Sequence, residues 1–162
     1  MIEKNIKTLK NLLESEAKEI SLWKYSEKYS VYNYPSWEKM CEQKWGITIK
    51  EIRSIEYFGL YNISNILVGY FRLHNTGDYI LVSLGLNPSL CGKGLGDELM
   101  DNIKIQSKIE YPNIKKIVLE VRSFNKRAIR CYLKNEFKLE SIYIKNTLTG
   151  KDIFFKMIYN IQ

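Results

Sequence analysis

Three glycines in five residues, Gly92, Gly94 and Gly96, stand between an uncharged apolar run (residues 79–86) and the segment Asp97-Glu98-Leu99-Met100. The apolar run is rich in β-branched and aliphatic side chains, which predicts a buried strand. Asn87-Pro88 ends it, because proline has no N–H for a ladder and restrains the residue before it. The segment after Gly96 starts a helix. Strand, glycine-rich turn and helix N-terminus together form an anion site: the turn lets backbone N–H groups converge, and the helix end adds about half a positive charge. The predicted ligand is a diphosphate.

Two nucleotide loops fail on spacing. A phosphate-binding G-x-x-x-x-G-K-[ST] loop needs Ser or Thr after a Gly-Lys pair, and Lys93 precedes Gly94 instead. A dinucleotide fingerprint reads G-x-G-x-x-G at the start of a βαβ unit, whereas G-x-G-x-G here lies past mid-chain. The second stretch with chemistry in it is residues 117–137. There a short apolar strand carries Glu120, and a helix opening near Asn125 places Ala128, Ile129, Tyr132 and Leu133 on one face. His74 is the single histidine, so no catalytic pair with a second imidazole is available. Cys41, Cys91 and Cys131 are odd in number and widely spaced, which gives neither a zinc pattern nor a disulfide framework and predicts a reducing cytoplasm.

Both stretches resemble the GNAT family of N-acetyltransferases. On that family's Gln/Arg-x-x-Gly-x-Gly/Ala loop, Cys91 takes the Gln/Arg position, Gly94 the first glycine and Gly96 the last. The downstream pattern L-x-V-x-x-x-N-x-x-A-x-x-x-Y-x-x-x-G-F is matched by Leu119, Val121, Asn125, Ala128, Tyr132 and Phe137, with Glu136 replacing the glycine. The context of Glu120 is similar to ribosomal-protein alanine N-acetyltransferases.

The resemblance implies acetyl-CoA as co-substrate and a primary amine as acceptor, on a small molecule or a protein N-terminus. Leu84 and Leu86 would bind pantetheine through strand backbone. Cys91, Gly92, Lys93, Gly94, Leu95 and Gly96 would cradle the diphosphate, and Asn125 would anchor pantetheine. Tyr132 would protonate the leaving thiolate, and a backbone N–H near Leu86 would meet the oxyanion. Glu120 is the first choice of base and Glu56 the second. Cys91 removes a phosphate-binding side chain, which keeps open a non-catalytic acyl-CoA-binding module.

The elements that must position these groups follow from periodicity. The expected order is a helix over residues 3–17, a strand at 19–25, a helix from Ser36, strands at 53–61, 66–73 and 79–86, a helix from Asp97, a strand at 117–121, a helix at 125–135 and a closing hairpin. That is one α+β domain over 1–162, with residues 1–18 as an added helix. The family resemblance makes it a mixed, mostly antiparallel sheet flanked by helices, its strands splayed at a bulge near Gly85. The dense aromatics of residues 29–45 read as packing or as the lining of an acceptor pocket.

Length and composition predict a single globular domain with its own core. No apolar run reaches the roughly 20 residues of a membrane span, and the charged N-terminus lacks the apolar core of a signal peptide. Basic and acidic residues number 12 and 13 up to residue 103, then 13 and 5 afterwards. The lysines of the basic half are scattered and accompany no nucleic-acid-binding signature, so nucleic acid is not expected as a partner. A homodimer stays open.

Overall fold

The structure, a computed structural model, describes residues 5–162. Among the described residues there are seven strands: β1 (Thr8–Asn11), β2 (Tyr57–Tyr61), β3 (Leu67–Asn75), β4 (Ile80–Leu86), β5 (Lys116–Arg122), β6 (Lys138–Thr147) and β7 (Gly150–Asn160). The helices are α1 (Glu14–Ser21), α2 (Trp37–Glu42), α3 (Lys50–Glu56), α4 (Gly96–Glu110) and α5 (Lys126–Lys134). The strands form one sheet in the order β1-β2-β3-β4-β5-β7-β6. Pairing is antiparallel between β1 and β2, β2 and β3, β5 and β7, and β6 and β7, and parallel between β4 and β5. The α+β, mostly antiparallel sheet expected from the sequence is therefore the observed one. Backbone contacts divide the chain into two units, Met1–Arg72 with Leu84–Leu95, and Leu73–Ser83 with Gly96–Gln162.

In the first unit, three expected elements differ. Residues 8–11 form a strand rather than part of a helix; of the predicted helix 3–17, residues 3 and 4 lie outside the described chain. The reason is an available edge: Thr8 to Asn11 pair with Tyr61 to Phe58, and Lys7 N–H donates to the Tyr61 carbonyl at 2.8 Å. Residues 14–21, in the predicted helix and strand, form α1. Its Glu16 carboxylate accepts from the Leu13 N–H at 2.8 Å, and Glu14 pairs with Lys18 one turn on. Ile20 and Trp23 are buried while Leu22 is exposed, a spacing of three that marks a helical turn, not a strand. Finally, residues 50–56 are helical, so Glu56 ends α3 instead of lying on a strand. The strand begins at Tyr57, and β2 is buried along its whole length. Ala17, Ile20, Met40, Ile47, Tyr57 and Tyr70 share one apolar cluster, against which Tyr34, Trp37 and Trp45 pack.

In the second unit, β5 pairs with β7 from Lys116 to Arg122, and β6 and β7 close as the expected hairpin. The parallel ladder of β4 with β5 covers Ile80–Val82 against Ile117–Leu119 and ends there, although β5 continues to Arg122. Ile103, Ile117, Leu119, Phe137 and Met157 are buried in its core.

Candidate active site

The glycine loop leaves β4 through Asn87, whose side-chain oxygen accepts from the Ser89 N–H at 3.1 Å and the Ser89 hydroxyl at 2.8 Å. A 3-10 turn at Pro88–Leu90 follows. Leu90 and Leu95 are buried, each 2% exposed, and they pin both ends of an exposed tip, Gly92-Lys93-Gly94. Gly92 and Gly94 have φ of 73° and 89°, left-handed values that only glycine adopts without strain. A side chain built on Gly94 would meet nothing within 4 Å, so its glycine serves backbone shape and open approach. The chain then enters α4, whose N-terminus follows directly. A diphosphate fits this loop: left-handed glycines turn successive N–H groups outward at an accessible, anchored tip. Cys91 adds no such group; its sulfur lies 3.9 and 3.8 Å from the Leu86 and Asn87 carbonyl oxygens.

The surroundings of Gly85 leave no room for a side chain. Its φ is not left-handed, and a Cβ there would stand 2.7 Å from Cε1 of the Tyr70 ring and 3.4 Å from the Tyr25 hydroxyl. The space is filled by tyrosine. Leu84 and Leu86 beside it are half-buried, and the Leu86 carbonyl accepts from the Tyr25 hydroxyl at 2.7 Å. The Tyr34 and Tyr70 hydroxyls share a hydrogen bond of 2.5 Å. Burial raises the pKa of Tyr25, Tyr34 and Tyr70, so all three stay neutral hydroxyls. Glu56 accepts from Arg72 Nε at 2.6 Å, and the Arg72 guanidinium lies over the Tyr57 ring.

Tyr25 and Tyr70 were not singled out from the sequence. The signal was there in part: Tyr70 and Arg72 alternate onto one face of β3, opposite Gly59 and Tyr57 of β2. Tyr25 had no local sign, since its hydroxyl bonds a residue 61 positions away.

In the second unit, Asn125 caps α5, its side-chain oxygen accepting from the Ala128 N–H at 3.2 Å. Tyr132 lies on the buried face of α5, 7% exposed, with its ring tilted 6.1 Å from Phe137. Glu120 faces Lys156 in the β5–β7 register, and its carboxylate accepts from Lys145 Nζ at 2.6 Å. Burial pushes the Glu120 pKa up, but hydrogen bonds from Lys145 and Tyr143 and the Lys145 and Lys156 charges outweigh it, and the net direction is down. Gly96 permits the α4–α5 contact, because a Cβ there would sit 2.6 Å from Cys131 Sγ. Lys134 and Asn135 of α5 and its C-cap bind the Asp97 carboxylate in the first turn of α4. His74 is half-exposed near the end of β3.

A family model described as "Acetyltransferase (GNAT) family" matches residues 15–137. No curated protein matches in sequence. Among solved structures, the fold is similar to spermidine N-acetyltransferase from Vibrio cholerae in complex with CoA and spermine, with TM-score 0.74 and 17% identity over 95% of each chain. It is also similar to the ribosomal-protein-S18-alanine N-acetyltransferase of Escherichia coli, with TM-score 0.68 and 18% identity over 96% of this chain and 94% of that one. A GNAT-family acetyltransferase from Bacillus anthracis has TM-score 0.72 and 14% identity, covering 98% of this chain and 97% of the other. At these identities the likeness is one of fold.

Proposed function

Because this chain belongs to the GNAT acetyltransferase family, we propose that it transfers an acetyl group from acetyl-CoA to a primary amine by direct attack in a ternary complex. The observation that carries the reading is the loop: two left-handed glycines at an exposed, leucine-anchored tip running into the fifteen-residue helix α4. Bound acetyl-CoA supplies an activated thioester.

The backbone N–H groups from Gly92 to Gly96 hold the diphosphate, with the Lys93 ammonium beside them as countercharge. Backbone groups of Leu84 and Leu86 and the Asn125 amide hold pantetheine in extended form. An acceptor amine with pKa near 10 is mostly ammonium at neutral pH, so a proton must leave before attack. Glu120, held ionised by Lys145, takes that proton directly or through water. The nitrogen–carbon bond forms, the carbon–sulfur bond breaks, and Tyr132 gives its hydroxyl proton to the departing sulfur. The nitrogen gives its second proton to water as the amide forms, solvent reprotonates Tyr132 and takes the proton from Glu120, and one proton is released per turnover. A base or acid of this kind contributes about 10²–10⁴-fold. Glu56, tied to Arg72, is the competing base. We place the reaction in one catalytic domain over residues 1–162, and its three free thiols suit the cytoplasm.

The test is turnover of acetyl-CoA with a panel of amines, monitored as free thiol, alongside calorimetric titration of the coenzyme. Thiol release that depends on the amine supports the reading. Tight coenzyme binding with no transfer to any amine supports the acyl-CoA-binding module, which the loss of a phosphate-binding side chain at Cys91 favours. Coenzyme affinity in the millimolar range or weaker refutes both.

A further inference from the structure

Within the second unit, β6 is an edge of the sheet, and among the described residues no strand pairs with the side of it away from β7. In a paired antiparallel strand every second residue turns its N–H and C=O away from the neighbour, so the outer side of β6 carries a row of unused donors and acceptors. Eight of its ten residues are exposed, so neither helix nor loop covers that row. Ile144 faces Ile153 in the β6–β7 register, and Ile142 lies two residues from Ile144, which puts all three on one face of the hairpin. Ile142 is 57% exposed, Ile144 70% and Ile153 46%. Three adjacent isoleucines this open mark an association surface. The other face of β6 is already in use: Tyr143 stacks on Phe154, and Lys145 binds Glu120.

We propose that β6 pairs antiparallel with β6 of a second copy of this chain, across a two-fold axis at Tyr143, joining two sheets into one. The proposal stands independently of the acetyltransferase reading. The register shift between Leu139 and Ser141 interrupts the ladder near the start of β6 and leaves Ser141–Thr147 regular. With the axis at Tyr143, Ile142 stands opposite Ile144 of the partner subunit, and the reverse. Residues of equal parity meet, so outward backbone groups meet outward backbone groups. The isoleucines of the two copies merge into one apolar stripe across the axis. No like charges of β6 stand opposite each other, because Lys145 meets Ser141. Moving the axis by one residue sets Ile144 against Glu140, or Ile142 against Asn146. This self-complementarity names a second copy as the occupant, in the isologous contact that a two-fold axis requires.

Sedimentation velocity on the full chain reads the oligomeric state from about 1 to 100 μM, with a reducing agent present because Cys41 is exposed. The wild-type protein should sediment at twice the chain mass at the upper end. Ile144→Lys should weaken the dimer at least about tenfold, since each copy then sets an ammonium against an isoleucine. Leu22→Lys changes a leucine of similar exposure at the end of α1, 74%, and should leave the dimer unchanged. Amide exchange on the unmutated protein gives a second reading that needs no variant to fold. The amides of residues 141–147 should gain protection of at least about tenfold between the dilute and the concentrated sample. A wild-type chain that stays monomeric throughout overturns the proposal. So does a dimer that Ile144→Lys leaves intact, one that Leu22→Lys weakens equally, or exchange at 141–147 that ignores concentration.

Discussion

The Glu120 carboxylate and the Lys145 ammonium meet at 2.6 Å across β7, from β5 to β6. The pair keeps the candidate base ionised and at the same time makes it a weaker base. Glu120 has a lowered folded pKa, so the stability it contributes is present above the usual glutamate range and is lost as pH falls through the folded value. Removing Lys145 takes away a hydrogen bond and a charge that both lower the pKa, so the pKa rises. The acidic limb of the pH–rate profile should therefore move to higher pH in Lys145→Met, and it should vanish in Glu120→Gln. If neither change alters that limb, Glu56 or water is the base. Because the pair is partly exposed, Lys145→Met should cost well under about 1 kcal/mol of stability.

Tyr132→Phe keeps the ring that packs on Phe137 and removes only the hydroxyl. We expect kcat to fall by about 10²–10⁴-fold while acetyl-CoA affinity and melting temperature barely change. Rapid-quench measurement of the chemical step separates this from slow product release. An unchanged step removes Tyr132 from the mechanism.

Gly94 of the loop and Gly85 of β4 should respond differently to alanine. At Gly94 nothing blocks a methyl group, and the penalty is the left-handed φ of 89°, about 1–2 kcal/mol. It should appear chiefly as weaker coenzyme binding, since the tip is exposed. At Gly85 the methyl would meet the Tyr70 ring at 2.7 Å, and global stability should drop by about 1–3 kcal/mol. Denaturant titration and coenzyme titration of both variants distinguish the two causes.

Gly96→Ala drives a methyl group to 2.6 Å from Cys131 Sγ at the α4–α5 contact. The expected loss is about 1–3 kcal/mol by overpacking. Cys131→Ala should restore most of it in the double variant, giving a favourable coupling energy. Additive losses would place the strain elsewhere.

The separation of local from distant causes explains which elements were legible. The strand–loop–helix from β4 to α4, the strand β5, the helix α5 and the closing hairpin were readable because their glycines, prolines and apolar periods act within a few residues. Asn125 was foreseen as a ligand anchor; its placement shows a second, structural task as the cap of α5. The N-terminal third misled. Thr8–Asn11 became a strand because β2 offers an unpaired edge 47 or more residues away, and no local pattern records that.

By itself, the amino-acid sequence determined the glycine-rich loop, the order of elements after residue 66 and the placing of Asn125 and Tyr132 at one helix. Each of these depends on backbone conformations set by neighbouring residues. Only the tertiary structure decided that Gly85 makes room for Tyr70, that Tyr25 reaches the Leu86 carbonyl, and that Glu120 is held by Lys145. Those relationships join residues 15, 61 and 25 positions apart. Steric fit and ion pairing at such separations depend on which strands lie side by side, and that is settled when the sheet assembles.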